Sequence, residues 1–302
     1  MRIWVTGGQG SLGSCLVDAL TEEFPNAQIA APGSDVLDLL DREKVSKYVR
    51  DLRPTHVFHL AARVYGIEGH KEYPQRSLLE NSAIDNNVFN ALFEHPPQWI
   101  YYSSTVAAYG FPFITPLLEE SEWNIGNPHE SEYGYAMAKR HALAYLHTLG
   151  KVHNVKYVYG LTTNLFGSGD RFLEGRGHVV VSLLKKAKIA NETDNPLVVW
   201  GKGEASRDFL STKSASRILI DLIDKHLEVT NIASGSEISI NRIADEISKA
   251  FNLNKGYIFT GENEGITRRI CNIDKLKKYS PTAVRLDVWS EMKDLISESV
   301  KS

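Results

Sequence analysis

Cysteine is scarce in this chain of 302 residues: only Cys15 and Cys271 occur, far apart. Two distant thiols exclude a disulfide scaffold, offer no metal-ligand spacing and suit a reducing compartment. A basic excess is missing too. Lys and Arg number 34 against 37 Asp and Glu, a formal net charge of -3, which argues against nucleic acid as a partner. No apolar run approaches the roughly 18 residues of a membrane span. Met1 leads straight into "RIWVTGG", leaving no room for the charged and apolar regions of a signal peptide. Repeats and low-complexity tracts are absent as well. The expectation is a soluble, cytoplasmic protein with no metal centre, nucleic-acid partner or membrane partner.

What remains is an apolar fraction of 42% in a chain long enough for a sizeable core. Short apolar runs alternate with helical patterns. "RIWVT", "AQIAA", "THVFHLAA", "QWIYYSST" and "VKYVYGLTTNLFG" read as strands, with helices at "GSCLVDALTEEF", "REKVSKYVRDLRP" and "NSAIDNNVFNALFEH". That rhythm predicts parallel βαβ units and an α/β, doubly wound sheet. After Gly167 the rhythm changes. "SGDRFLEGRG" reads as a loop, followed by a helix at "HVVVSLLKKAKIA", strands at "LVVWG" and "RDFL", and a further strand–helix–strand from "VTNIAS" to "GYIFTG".

"VTGGQGSLGS" joins the first strand to the first helix. Gly8, Gly10 and Gly13 spell G-x-G-x-x-G, and Gly7 precedes them. Such glycines allow a tight turn, close approach of backbone to a pyrophosphate, and a phosphate seated on the helix N-terminus. Placed strand–turn–helix, the motif predicts a dinucleotide held by Gly7, Gly10, Ser11, Leu12 and Gly13. The division expected is a dinucleotide-binding domain over 1–167 and a smaller C-terminal α/β lobe over 168–302, mainly substrate-binding, with segments near 229–260 returning to the main domain. The acidic residue that usually ends the second strand is missing. Asp35 lies past a Pro-Gly, and no arginine stands there to meet a 2′-phosphate.

In "YGYAMAKR", Tyr135 and Lys139 lie one helical turn apart. A bland reading is a half-buried tyrosine beside a surface lysine. The alternative is a proton donor tuned by a fixed cation, since a neighbouring ammonium favours the phenolate. Hydroxyls at Ser103, Ser104 and Thr105 end a strand, where doubly wound folds bind ligands.

With these motifs in this order, the chain resembles the extended short-chain dehydrogenase/reductase family, also known as the NAD-dependent epimerase/dehydratase family. The resemblance covers nearly its whole length and includes "TGGQGSLG", "DLLD", "HLAA", "SSTVAAYG", "YAMAK" and "NLFG". Within that family it looks closest to the branch of GDP-L-fucose synthases, through "ARVYGI", "TTNLFGSGDRF", "GHVVVSLLKKA" and "VVWGKGEASRDFL". The resemblance implies a Rossmann fold and a catalytic set of Thr105, Tyr135 and Lys139, with His178 as an acid/base or pocket residue. It places Asp38 and Leu39 at the adenine, Ala61 and Ala62 at the ribose, and Asn81 behind that loop. It places Ser104, Thr105, Asn164, His178, Val179, Lys186, Trp200 and Arg207 at a nucleotide sugar, GDP-linked by analogy. It also implies a homodimer built from the helices near 81–94 and 133–149.

Three departures shape the functional expectation. The cysteine that such synthases pair with the histidine for epimerisation is matched by Ala107 or, in the other register, by Thr105, and neither is a thiol. No acid pair follows Thr105, so water elimination is not expected. The arginines that serve NADP in that branch are replaced by Gln9 and by Gly33-Ser34, which favours NAD, with NADP as the alternative. "FLSTKS" also replaces the branch's His-Val-Asp-Asp with Ser211, Thr212, Lys213 and Ser214. The expected activity is hydride transfer at one carbon of the sugar, C4, as a 4-keto reductase or 4-oxidase. The alternatives are a 4-epimerase that retains its NAD, and a non-catalytic dinucleotide sensor.

Overall fold

The computed structural model describes residues 1–65, 73–113, 117–167, 179–261 and 266–301. Six parallel strands form the main sheet. From one edge they run Glu228–Ile232, Lys156–Thr162, Trp99–Thr105, His56–His59, Arg2–Thr6 and Gln28–Ala30. Ile3, Trp4 and Val5 are all fully buried, as consecutive residues must be in a parallel strand covered on both faces. The helices Ser11–Glu23 and Thr212–Asp221 pack together, as do Arg42–Leu52, Pro74–Glu94 and Tyr133–His153. The second and third strands leave the first on opposite sides. This switch point opens a crevice at the carboxyl end of Arg2–Thr6.

A second sheet joins Glu237–Ser239, Ser206–Ser211, Arg268–Cys271 and Leu117–Leu118, with Asn164–Phe166 beside Ser206–Ser211. Leu197–Val199 pairs with Tyr257–Phe259. A separate apolar core underlies these elements, built around Val180, Leu183, Phe209, Ile243, Ile247 and Met292. The chain crosses between the two cores more than once. Glu228–Ile232 lies in the main sheet, and Ala215, Ile218, Leu276 and Ala283 belong to the first core, whereas 237–251 feeds the second.

Asp208 is a joint between them. Its fully buried carboxylate accepts from the Ser234 amide and hydroxyl at 2.9 and 2.8 Å, the Gly235 amide at 2.9 Å and the Cys271 amide at 3.3 Å. Burial still pushes the carboxyl up to about 6, against the pull of those donors.

Ser211–Ser214 also finds a physical account. Ser211 caps the helix Thr212–Asp221, accepting from the Ser214 amide at 3.0 Å, and the Ser214 hydroxyl donates to Glu291 at 2.6 Å. The run that departs from the branch's motif is a helix start. Both cysteines are free thiols, and no helix among the described residues is long and apolar enough to cross a membrane.

The two features differ in what they carry. Asp208→Ala strands several buried donors and is expected to lower unfolding stability by at least about 3 kcal/mol, whereas Ser211→Ala costs about 1 kcal/mol. Urea denaturation of both variants measures the difference.

Candidate active site

The crevice begins at Gly7, whose φ of 71° suits glycine. A Cβ there would lie 2.9 Å from the Ala61 amide, and one at Gly13 would run into the Gly7 carbonyl oxygen. The Gly10 amide closes the turn on that oxygen at 2.9 Å, and no side chain caps the helix that Gly10 begins. The first amides of Ser11–Glu23 are thus left to a ligand. The Ser11 hydroxyl oxygen is buried without a hydrogen-bond partner, while Leu12 packs into the core behind it. A cradle with no room for side chains and an orphaned hydroxyl at a helix N-terminus fit a pyrophosphate.

Around the cradle, the Ala61 amide donates to Thr6 Oγ1 at 3.2 Å, with half-buried Ala62 next to it. Asn81 clamps the following turn, accepting from the Arg63 amide at 2.8 Å and donating to the Arg63 and Ser77 carbonyls. Asp38 accepts from the Leu40 amide at 3.0 Å, and the Leu39 carbonyl accepts from Asn87 at 2.9 Å. The Asp35 carboxylate folds back across the Pro-Gly, so that it and the Gln9 amide both crowd against Gly33.

The strand Trp99–Thr105 and the helix Tyr133–His153 carry the candidate reacting groups. Thr105 Oγ1 accepts from the Ala107 amide at 3.1 Å, so its own proton remains for another acceptor. Ser103 lies 3.5 Å from Thr162 Oγ1. Ser104 is buried and donates to the Tyr159 hydroxyl at 2.7 Å, which donates to the Lys139 carbonyl at 2.9 Å. It braces the Tyr135 helix from beneath.

Tyr135 is half-buried and Lys139 only 1% exposed, which disposes of the surface-lysine reading. Lys139 Nζ stands 4.6 Å from the Tyr102 ring centroid and 5.9 Å from that of Tyr135. The sequence led us to expect the ammonium to pull the Tyr135 phenol down. In the structure burial pushes the phenol well above its ordinary value, the Asp85 and Glu132 carboxylates push the same way, and the ammonium does not offset them. Burial lowers Lys139 in turn, opposed by Asp85.

The candidate substrate residues gather on the second lobe. Val179 opens the helix Val179–Thr193, and His178 lies outside the described residues. From that helix, exposed Lys186 reaches the Val198 carbonyl at 3.4 Å, close in sequence to Trp200, which is 49% exposed rather than core. Asn164 donates to the Asp208 carbonyl at 3.1 Å. Arg207 donates to the carbonyls of Ser206 and Thr267, and its register partner on the neighbouring strand is Arg269.

Arg269 was not read from the sequence. It is buried, pairs with Glu132 at 2.9 Å at the foot of the Tyr135 helix, and keeps a buried Nε without a partner. His59, Asp85 and Tyr102, which lie around Lys139, were also not singled out. The available signal was polar Asn81 and Asp85 one turn apart on the face of the helix Pro74–Glu94 that buries Ile84, Val88 and Leu92.

Such a cradle, together with a half-buried phenol and a buried ammonium, is the equipment of an enzyme that exchanges hydride with a bound dinucleotide. Over residues 3–233 the chain matches the NAD dependent epimerase/dehydratase family, and it belongs to that family. It is 28% identical over 279 residues to a GDP-L-fucose synthase of Sinorhizobium fredii, covering 91% of this chain and 88% of that one. It is 27% identical over 300 residues to a GDP-L-fucose synthase of Dictyostelium discoideum, covering 97% and 93%. A GDP-L-fucose synthetase of Naegleria fowleri, solved bound to NADP, superposes with a TM-score of 0.88 at 26% identity, covering 99% of this chain and 91% of that one.

The crowding at Gly13 yields a test of the cradle. Gly13→Ala is expected to weaken NADH binding by about tenfold or more, about 1.4 kcal/mol, with the circular dichroism spectrum retained. Fluorescence titration of bound NADH measures it.

Proposed function

We propose that the protein is a nucleotide-sugar oxidoreductase that moves hydride at one carbon, C4, of a GDP-linked sugar, as a 4-keto reductase or 4-oxidase. The observation that carries this reading is half-buried Tyr135 one turn from buried Lys139 on the helix whose foot is clasped by Arg269 of the second lobe. The likeness to GDP-L-fucose synthases supports the choice of substrate class.

When bound, the nicotinamide supplies or accepts the hydride. In the reducing direction Tyr135 gives its proton to the carbonyl oxygen as the carbon–oxygen double bond becomes an alcohol, and Thr105 donates a hydrogen bond to the same oxygen. A phenol held high by burial keeps its proton until that oxygen gains charge. In the oxidising direction the proton returns to Tyr135, which Lys139 helps to hold as phenolate.

Epimerisation at two further carbons is not proposed, because Ala107 is a buried methyl whose amide is spent on Thr105. For the dinucleotide we propose NAD as the preferred form. A 2′-phosphate would meet the Asp35 carboxylate, and residues 31–40 hold neither Lys nor Arg. A homodimer is proposed through the paired helices 74–94 and 133–153, whose outer surface carries Leu78, Leu79 and Tyr133.

Tyr135→Phe is expected to lower turnover by about 10²- to 10⁴-fold while NADH still binds. Full activity in that variant removes the proposed role of Tyr135. Asp35→Asn is expected to narrow the ratio of NADPH to NADH dissociation constants by about tenfold. An unchanged ratio, or tighter NADPH binding by the unaltered protein, counts against the NAD assignment.

A further inference from the structure

We propose that Asp85 is the positioning residue of the catalytic pair: acting across the Tyr102 ring, it is the counter-charge that keeps buried Lys139 an ammonium. The proposal deepens the functional reading above and rests on it for its consequence in turnover, though not for the arrangement itself.

A lysine at 1% exposure needs compensation, and among the described residues no carboxylate lies within ion-pair distance of Nζ. What Nζ meets is the face of Tyr102, at 4.6 Å from its centroid. The far end of that ring leads to Asp85. The Tyr102 hydroxyl donates to Asp85 Oδ2 at 2.6 Å, and Asp85 is itself 2% exposed. The ring is therefore a spacer between two buried groups, with the ammonium on its face and the carboxylate at its tip.

The rest of the network fixes the position of Asp85. Thr6 Oγ1 accepts from the Ala61 amide at 3.2 Å and lies 2.7 Å from His59 Nδ1. The other ring nitrogen, Nε2, lies 3.1 Å from Asp85 Oδ1. The carboxylate is thus held at one oxygen by the His59 ring and at the other by the Tyr102 phenol.

Asp85 faces His59 from the strand His56–His59, Tyr102 from Trp99–Thr105, and Tyr159 from Lys156–Thr162. From the helix Tyr133–His153 it faces Tyr135, Lys139 and Tyr145. Glu132 acts on Tyr135 from the helix foot. Among these groups Asp85 is the carboxylate that raises Lys139 against its burial. It also raises Tyr135, so removing its charge moves both members of the pair downward.

The test uses the whole protein labelled with ¹³C-lysine, with the Lys139 Cε resonance assigned by its loss in Lys139→Arg. An unmatched buried lysine can fall to about 5–6. In the unaltered protein Lys139 is expected to remain an ammonium at neutral pH, in Asp85→Asn to lose its proton at a clearly lower pH, and in Asp85→Glu to behave as in the unaltered protein. A Lys139 that is uncharged at neutral pH in the unaltered protein overturns the proposal and needs no variant to fold. An unchanged midpoint in folded Asp85→Asn also overturns it.

The second readout is the alkaline limb of kcat/KM for reduction, where both Tyr135 and Lys139 must hold their protons. Asp85→Asn is expected to shift that limb to lower pH by the same amount, and Asp85→Glu to restore it. A uniform loss of rate with the limb unmoved marks a merely structural role and overturns the proposal. Failure of the unaltered protein to turn over any nucleotide sugar removes the proposed function, while the lysine titration still decides the role of Asp85.

Discussion

An ammonium buried without a touching carboxylate sets the terms for the structure around it. Lys139 occupies that position, and the side chains near it read as its accommodation. An aromatic face receives the charge, a carboxylate at the tip of the ring balances it, and a histidine and a threonine hold that carboxylate in place. Thr6 ends the first strand, and its oxygen also receives the amide that packs against Gly7. Hydrogen bonds thus run from Ala61 beside the glycine turn through Thr6, His59 and Asp85 to Tyr102, whose ring face meets Lys139. A shift in the first strand would be felt at both ends.

The second lobe is fastened to the same helix. Glu132 sits where a helix-capping side chain would act, yet its carboxylate leaves the helix amides and pairs with Arg269 on the lobe. Asp208 makes the other fastening, with four donors drawn from the turn after the last main-sheet strand and from the neighbouring strand. Half-buried Glu132 and fully buried Asp208 therefore set how the lobe bearing Trp200 and Arg207 meets the half bearing Tyr135. Asp208 is costly to bury and is held by several donors, as expected where geometry matters more than net stability.

How much of this the sequence disclosed depended on distance along the chain. The glycine loop and Tyr-x-x-x-Lys are spelled within a few residues, so they were legible, as was the alternation that builds the sheet. Asp85, His59 and Tyr102 come from three separate elements and meet only in the folded chain. Asp35 looked displaced by its Pro-Gly, and only the path of the turn brings it back beside Gln9. The strands Glu237–Ser239 and Arg268–Cys271 are too short for a period to show, and the second of them carries Arg269. The influence of Lys139 on Tyr135 was misjudged for a related reason. Spacing gives proximity, but burial decides which charge state the surroundings favour.

Ala107, one of the two positions that the resemblance sets against a thiol, has a positive side in the structure. A methyl group can sit in the buried turn at residues 106–108 with no polar demand of its own, and its amide is free to hold Thr105 in one orientation. With one lone pair taken by that amide, Thr105 keeps its proton for another acceptor. Such a donor, together with a phenol of raised affinity for its proton, suits an oxygen that becomes more negative as the reaction proceeds, as the carbonyl oxygen does in the proposed reduction. Among the described residues, the turn Val106–Ala108 that follows Thr105 carries no side chain able to draw a proton from a neighbouring carbon, which is why the activity proposed above is confined to one centre.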